Sequence, residues 1–260
     1  MRTNKRLGQH FLYDPSLLGR IVDAAALSPD DTVVEIGPGP GTLTRLLSER
    51  AKNVTAIELD EALYRRLRAD LAGYRNVELV HDDALKFPFE KMGEFKVVAN
   101  IPYYITTPII FRLLEAGQHL RSMTLTIQKE VAERIVARPG GKDYGVLSIM
   151  VQYRTEPEMI CIIPKESFRP MPKVDSAVVH MKIRPQPAVA VDDEELFFRI
   201  IRTAFSQRRK TLANSLRGVC GDIRNCLADA GIDPVRRPET LSIGEFALLA
   251  GPIGISRREG

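Results

Sequence analysis

Short apolar segments alternate with segments of helical spacing from residue 32 onward, and this alternation constrains the fold more than any other feature of the sequence. The apolar segments are rich in β-branched residues, and each has the length of one buried strand. They span residues 32–36, 54–58, 77–81, 95–99 and 123–128. Between them, residues 43–50 and 61–71 carry apolar side chains at helical spacing. Because buried strands separated by helices are typical of βαβ units, we expect an α/β fold with a Rossmann-like parallel sheet.

The character of the sequence changes near residue 185. Two later strand candidates, 158–163 and 176–183, precede the sequence Arg184-Pro185-Gln186-Pro187, which has the composition of a linker. Beyond it, residues 192–216 have helical spacing, with acidic residues first and basic residues later, as the helix dipole favours. The sequence therefore predicts a larger domain at 1–184 and a smaller helical domain at 185–260.

Composition excludes several classes of protein. No apolar stretch reaches the ~18 residues of a membrane span, and no apolar signal core follows the basic N-terminus. The cysteines Cys161, Cys220 and Cys226 form no CxxC pair, and no cluster of metal-ligating residues is apparent. We therefore expect a monomeric cytoplasmic protein that binds neither a membrane nor a metal.

Basic residues are concentrated in two places, although the formal net charge is only +4. Residues 199–217 contain several lysines and arginines and no acid. The first twenty residues contain one acid, Asp14, against four basic residues: Arg2, Lys5, Arg6 and Arg20. Two basic patches on a nearly balanced chain favour a polyanionic partner, although ordinary solvated faces would give the same pattern.

A glycine-rich turn follows the first strand, with the sequence Glu35-Ile36-Gly37-Pro38-Gly39-Pro40-Gly41. Glycines let the backbone turn sharply and approach a ligand closely. The spacing is GxGxG rather than the GxGxxG of dinucleotide-binding folds. The two prolines also remove backbone donors that a pyrophosphate would use. The turn therefore predicts a small-molecule site and argues against a nicotinamide or flavin dinucleotide.

Acidic residues follow the next two strands. Glu58 ends the second strand, and Asp83 follows the third. A carboxylate at the first position can accept hydrogen bonds from ribose hydroxyls, and one at the second can accept a bond from an adenine amino group. Each acid alone is equally typical of a helix cap or a solvated loop. Together with the glycine turn they predict a nucleoside pocket at the carboxyl edge of the sheet.

The fourth strand ends in Asn100-Ile101-Pro102-Tyr103. An adenine amine is a weak nucleophile because its lone pair is delocalised into the ring. The side-chain oxygen of Asn100 and the carbonyl of Ile101 suit its two hydrogens, and Pro102 stiffens the loop. Tyr103 could stack on an extruded base. The structural alternative is a strand-ending turn with a packed tyrosine.

These segments resemble class I S-adenosylmethionine-dependent methyltransferases that act on amino groups. The resemblance narrows to the KsgA family of small-subunit rRNA adenine dimethylases on four further segments, which together extend it over nearly the whole chain. They are Lys5-Arg6-Leu7-Gly8-Gln9-His10-Phe11-Leu12, the segment from Gln128 to Arg134, the segment from Phe168 to Val178 and the segment from Phe205 to Asn214.

The resemblance implies a function and a set of site residues. The family dimethylates two adjacent adenines near the 3′ end of 16S rRNA in the small ribosomal subunit, with S-adenosylmethionine as the donor. Its catalytic segment falls on Asn100, Ile101, Pro102 and Tyr103, and its second stacking aromatic falls on Phe168. Its cofactor contacts fall on His10, where the family commonly has Asn, and on Leu12, Gly37, Gly39, Glu58, Asp83 and Asn100. RNA binding is expected at Arg208, Arg209 and Lys210.

Three alternatives stay open at this stage. A large-subunit rRNA adenine methylase that confers antibiotic resistance shares the motifs of the first domain, although the segment Arg208-Arg209-Lys210-Thr211-Leu212 favours the small-subunit family. An RNA-binding ribosome assembly or transcription factor with a dormant methylase fold is disfavoured by the intact acids and Asn100. A dehydrogenase is disfavoured by the glycine spacing.

Overall fold

The structure, a computed structural model, describes residues 9–259, with side chains described through residue 256. The predicted basic residues Arg2, Lys5 and Arg6 lie outside the described residues, as does the beginning of the N-terminal family segment. The strands, in chain order, are β1 (Phe11–Leu12), β2 (Thr32–Ile36), β3 (Asn53–Glu58), β4 (Val77–His81), β5 (Phe95–Asn100), β6 (Leu120–Gln128), β7 (Thr155–Ile163), β8 (Phe168–Arg169) and β9 (Ser176–Ile183).

Helices separate most of these strands. They are α1 (Pro15–Ala24), α2 (Thr42–Ser48), α3 (Glu61–Asp70), α4 (Thr106–Leu114), α5 (Lys129–Val136), α6 (Val146–Arg154), α7 (Glu194–Ser206), α8 (Leu212–Ser215), α9 (Ile223–Asp229) and α10 (Ile243–Glu259). Side-chain caps start several of them: Asp14 accepts backbone N–H bonds at the start of α1, and Asp60 does so at the start of α3.

Seven strands form one sheet in the order β4-β3-β2-β5-β6-β9-β7. The pairs β2–β3, β3–β4, β2–β5 and β5–β6 are parallel, whereas β6 and β9 are antiparallel. The parallel α/β sheet predicted from the apolar segments is therefore confirmed. Chain order reverses between β2 and β5, and ligands of such sheets bind in the crevice outside the carboxyl ends of the strands at that reversal. A separate two-stranded sheet pairs Leu12 of β1 with Phe168 of β8.

The chain divides into two compact units, at boundaries that differ from the predicted one. The first contains residues up to Ala132 together with Glu156–Ile183, and the second contains Glu133–Thr155 together with the chain from Arg184 onward. The chain leaves the first unit after Ile183, and the second unit also contains Glu133–Thr155, which the sequence did not predict. The physical reason for this inclusion is aromatic packing, since Tyr153 of α6 lies in one buried cluster with Phe197 of α7, with 5.3 Å between ring centroids.

The continuous helix predicted over residues 192–216 is wrong. Helix α7 ends at Ser206, and a turn precedes the short helix α8. At this point the backbone N–H groups of Leu212 and Ala213 donate to the carbonyls of Arg236 and Pro234, at 2.8 Å and 3.2 Å. These long-range bonds replace the local ladder that would have continued the helix.

Candidate active site

A cleft with a cavity volume of about 210 Å³ opens at the carboxyl edge of the sheet, within the first unit. Its walls are residues 9–11 and the loops that follow β2, β3, β4 and β5. The cleft therefore lies at the reversal of strand order, where an α/β sheet is expected to bind its ligand.

The glycine turn forms the floor of this cleft. Gly37 and Gly39 both line it and both have positive φ, at 69° and 57°, a conformation that disfavours any side chain. A Cβ atom on Gly39 would lie 2.6 Å from the ring of Phe11, so glycine is required for Phe11 to pack there. Around Gly37 the nearest atom to such a Cβ would be Cδ of Pro102, at 3.8 Å, which leaves the backbone at Gly37 open to a ligand.

Glu58, at the end of β3, is held by backbone donors on both carboxyl oxygens. Oε1 accepts the N–H of Asp60 at 2.8 Å, and Oε2 accepts the N–H of Gly39 at 3.3 Å. The side chain is almost fully buried, and this burial raises its pKa. A carboxylate fixed in this way keeps acceptor capacity toward the cleft, which it also lines.

A second carboxyl group, that of Glu35, lies buried in β2. Only 2% of Glu35 is exposed, and its Oε2 atom has no hydrogen-bond partner among the described residues. Burial, with a further contribution from the negative charge of Glu58, raises the pKa of Glu35 to about 8. Glu35 is therefore mostly protonated at neutral pH.

Acidic residues also follow β4. Asp82 and Asp83 both line the cleft. Oδ1 of Asp83 accepts the N–H of Leu85 at 3.0 Å, and Oδ1 of Asp82 accepts the N–H of Asp83 at 2.7 Å. These bonds fix the acidic turn, and Asp82 and Asp83 thereby line the same cleft as Glu58.

Asn100, at the end of β5, occupies the opposite side of the reversal from Gly37. Its Nδ2 atom donates to the backbone carbonyl of His10 at 2.8 Å. The Nδ1 atom of His10 lies 2.7 Å from the carbonyl of Pro170, and because a carbonyl only accepts, Nδ1 carries the hydrogen. The ring of His10 stacks on Tyr103 with 5.4 Å between centroids. The amide of Asn100 is thus oriented with one of its donors satisfied and its oxygen left as an acceptor.

Most of the predicted catalytic and cofactor-binding residues line this cleft, but two do not. Its lining includes His10, Gly37, Gly39, Glu58, Asp83, Asn100, Ile101, Pro102 and Tyr103. Leu12 and Phe168 are instead buried in the core of the first unit with Leu18 and Val178. Phe168 is fully buried, so the structure does not place its ring as a stacking wall opposite Tyr103. The antiparallel pairing of β1 with β8 directs both side chains into the core.

The predicted RNA-binding residues differ among themselves. All three lie in the second unit. Arg208 is partly buried, and its Nη2 atom donates to the carbonyl of Gly141 at 3.3 Å. Arg209 and Lys210 are exposed, and their side chains have no partner among the described residues. Only the latter two are free to contact a polyanion without first breaking a bond.

Several cleft residues were not singled out from the sequence. Leu59 and Tyr104 line the cleft and remain about half exposed, at 47% and 54%. Asp82 lines it beside Asp83. Each adjoins a residue that was identified, so adjacency to a strand end was the available signal. Within residues 9–259, no group of three or more metal-ligating side chains lies together, and no helix has the length and apolar character of a membrane span.

Strand order, the glycine turn after β2 and the acids after β3 and β4 together define a class of protein, the α/β methyltransferases. The chain matches the family model described as ribosomal RNA adenine dimethylase over residues 1–252. It therefore belongs to the ribosomal RNA adenine dimethylase family, whose cofactor is S-adenosylmethionine.

Related proteins support this membership. The chain is 48% identical to ribosomal RNA small subunit methyltransferase A of Clostridium acetobutylicum, over 97% of this chain and 94% of the relative. It is 48% identical to the protein of the same name from Moorella thermoacetica, over 95% and 91%. Among solved structures, a dimethyladenosine transferase from Plasmodium falciparum superimposes with a TM-score of 0.78 and 29% identity, over 92% of this chain and 96% of that one.

One structural match concerns the large-subunit alternative. The 23S rRNA methyltransferase ErmE superimposes with a TM-score of 0.75 and 31% identity, over 94% of this chain and 99% of that one. Both subunit specificities therefore occur on this fold. The difference in identity, 48% against 31%, favours the small-subunit relatives.

Proposed function

We propose that this chain dimethylates the exocyclic amines of two adjacent adenines near the 3′ end of 16S rRNA, in the small ribosomal subunit. The observation that carries the proposal is the cleft itself. It combines a nucleoside-binding set of glycines and carboxylates with an oriented asparagine amide, on either side of the reversal of strand order. The 48% identity to small-subunit methyltransferases supports the choice of RNA.

The residues of the cleft fit S-adenosylmethionine by their chemistry. The open backbone at Gly37 suits the close approach of the amino-acid part of the cofactor. Glu58 would accept hydrogen bonds from the ribose hydroxyls, and Asp83 would accept one from the adenine amino group. The bound cofactor supplies a methyl group made electrophilic by its sulfonium.

The other side of the cleft would prepare the substrate amine. The Asn100 side-chain oxygen and the Ile101 carbonyl would accept the two amine hydrogens, which draws the nitrogen toward tetrahedral geometry and aims its lone pair at the methyl group. Pro102 stiffens this segment, and Tyr103 would stack on the extruded base. The new nitrogen–carbon bond replaces the sulfur–carbon bond, and the proton that the nitrogen no longer holds passes to water. Positioning of the amine and exclusion of water from the cleft would supply most of the rate enhancement.

Selectivity between ribosomal subunits gives the direct test of this function. Small-subunit particles and large-subunit RNA, both lacking adenine methylation, are incubated with the chain and labelled cofactor. We expect label in N6,N6-dimethyladenosine of small-subunit RNA only, with free adenosine and DNA unlabelled. Label in large-subunit RNA would support the alternative methylase, and binding to either RNA without transfer would support the assembly factor.

The exposed basic residues Arg209 and Lys210 would contact RNA phosphates. Each phosphate contact adds about 0.7–0.9 to the slope of log affinity against log salt. We therefore expect Arg209→Ala with Lys210→Ala to flatten that slope by about 1.4–1.8 and to leave cofactor affinity unchanged.

Two comparisons make this salt titration specific. The control is Arg65→Ala with Arg68→Ala, which removes two exposed basic residues from α3 and should leave the slope unchanged. Arg208→Ala should mainly lower the thermal stability, with only a small effect on the salt slope, because Arg208 donates a hydrogen bond to the carbonyl of Gly141. An unchanged slope for the Arg209 and Lys210 variant would show that this turn does not bind RNA.

A further inference from the structure

We propose that Ser176 is a positioning residue for methyl transfer, because it fixes the ring of Tyr103 against which the target adenine stacks. This inference rests on the proposed function and extends it to a residue outside the cleft. The hydroxyl oxygens of Tyr103 and Ser176 lie 2.7 Å apart, within hydrogen-bond distance. The two residues are 73 positions apart in the chain.

The contact spans a strand of the sheet. Tyr103 follows β5, whereas Ser176 opens β9, and β6 lies between those two strands. Ser176 pairs with Gln128, the last residue of β6. The tyrosine ring therefore reaches over the carboxyl end of β6 and is tied to the far side of it. A ring held at both its backbone and its hydroxyl loses most of its freedom to rotate.

The burial of Ser176 limits the partners that its hydroxyl can bond. Ser176 is fully buried, so bulk water cannot replace Tyr103 as the hydrogen-bond partner of its hydroxyl. Tyr103 itself lines the cleft and is partly buried, which raises the pKa of its phenol, while the bond to Ser176 lowers it. Loss of either hydroxyl would leave the other without this hydrogen bond, in a fully buried position at Ser176 or a partly buried one at Tyr103.

The rest of the catalytic segment is held in the same manner. The Nδ2 atom of Asn100 is bonded to the His10 carbonyl, and the N–H of Ile101 donates to the carbonyl of Thr126 in β6 at 3.1 Å. The third point of attachment is the bond from Tyr103 to Ser176. Amide oxygen, carbonyl and stacking ring are thus each fixed by a different part of the sheet or of the N-terminal segment. Without the third bond, the base could tilt while both acceptors stayed in place.

Neighbouring Asp175 keeps the start of β9 in position. Its Oδ1 atom accepts the N–H of Lys165 at 3.1 Å, and its carbonyl accepts the N–H of Lys129 at 3.0 Å. Ser176 therefore projects from a segment that is fixed on both sides. This rigidity allows a single hydroxyl to set the orientation of a ring.

A double-mutant cycle tests the proposal. Ser176→Ala and Tyr103→Phe each remove the bond while keeping a core-sized side chain and the aromatic ring. We expect each to lower the rate of transfer to small-subunit particles about 5- to 30-fold, the effect of one buried hydrogen bond. The double variant should be no slower than the slower single variant, since both changes remove one interaction. The KM for the cofactor should stay unchanged in all three.

A structural role alone would give a different pattern. Ser122→Ala, which changes another buried serine of the same sheet, is the matched control and should keep the full rate. A wild-type rate for Ser176→Ala would overturn the proposal. So would multiplied losses in the double variant, since these would show that Ser176 acts independently of Tyr103.

A measurement without turnover separates this inference from the proposed function. In protein labelled with ¹³C at the tyrosine Cζ atom, the Tyr103 resonance should shift in Ser176→Ala and not in Ser122→Ala. An unmoved resonance in a folded variant would overturn the proposal even if the rate fell. If the wild-type chain methylated no rRNA, the proposed function would fail, whereas this resonance would still show whether Ser176 fixes the ring.

Discussion

The two sides of the cleft are built in different ways. On the cofactor side, formed by Gly37, Gly39, Glu58 and Asp83, the carboxylates are held by backbone N–H groups at most 19 positions away. Those of Asp60 and Leu85 are two positions from Glu58 and Asp83, and that of Gly39 is 19 positions from Glu58. On the substrate side, formed by Asn100, Ile101, Pro102 and Tyr103, the side-chain partners are distant. Asn100 bonds a carbonyl 90 positions away, and Tyr103 bonds a hydroxyl 73 positions away.

This difference has a functional consequence. A site held by local turns forms wherever the strand and turn form, so substitutions elsewhere in the protein change its ligand affinity little. A site held by long-range bonds depends on the packing of several elements, so its geometry responds to substitutions that never touch the ligand. We therefore expect substitutions on the cofactor side to change affinity, and those on the substrate side to change turnover.

The largest expected effect is on the substrate side. Asn100→Ala should lower single-turnover transfer to small-subunit particles by at least ~100-fold, because it removes an acceptor that orients the amine. Cofactor affinity, measured by calorimetry, should change much less. The control Asn53→Ala alters an exposed asparagine at the start of β3 and should transfer at the wild-type rate. A residual rate above one tenth in Asn100→Ala would assign the orienting role to another group.

A smaller effect is expected on the cofactor side, on cofactor affinity rather than on turnover. Glu58→Ala should weaken binding of S-adenosylmethionine by about 1–3 kcal/mol, because ribose hydroxyls would lose their partner. At saturating cofactor, the transfer rate should recover toward wild type. Asp60→Asn, which keeps the backbone N–H that orients Glu58, is the matched control. If affinity were unchanged in Glu58→Ala, the ribose would have to bind elsewhere in the cleft.

The buried acid behind the cofactor side gives a third prediction. The pKa of Glu35 is raised to about 8, so the folded state keeps a proton that the unfolded state releases above its ordinary value of 4.5. This group therefore lowers the free energy of unfolding as pH rises between those values, by at most about 1.4 kcal/mol per pH unit.

Glu35→Gln should remove this dependence. Between pH 5.5 and pH 7.5, urea unfolding of the wild type should show a fall in stability about 2–3 kcal/mol larger than that of the variant. Equal falls in both proteins would mean that Glu35 is ionised within the fold.

The sequence predicted the features that depend on local rules. Four of the five parallel strands were located to within one residue, because each is a buried apolar run, and the fifth, β6, begins three residues earlier than predicted. Gly37, Gly39, Glu58 and Asp83 were identified from strand ends and turn chemistry, and all of them line the cleft. Their roles toward the cofactor stay predictions until binding is measured.

The features that it missed depend on contacts between distant residues. The sequence does not reveal that β1 and β8 pair with each other and that the side chains of Leu12 and Phe168 lie in the core. The roles of these two residues, which entered the predicted site through family resemblance, stay predictions. The break between α7 and α8 coincides with bonds from Leu212 and Ala213 to the backbone carbonyls of Arg236 and Pro234. No periodicity in one sequence reveals such bonds.

The most direct test of the whole account maps dimethylated adenines in ribosomal RNA by mass spectrometry, in cells with and without this gene. We expect two adjacent N6,N6-dimethyladenosines near the 3′ end of 16S rRNA in the parent and none there in the deletion strain. The wild-type gene should restore both, and Asn100→Ala should restore neither while its protein remains folded. Identical maps in parent and deletion strains, or a loss confined to 23S rRNA, would contradict the account.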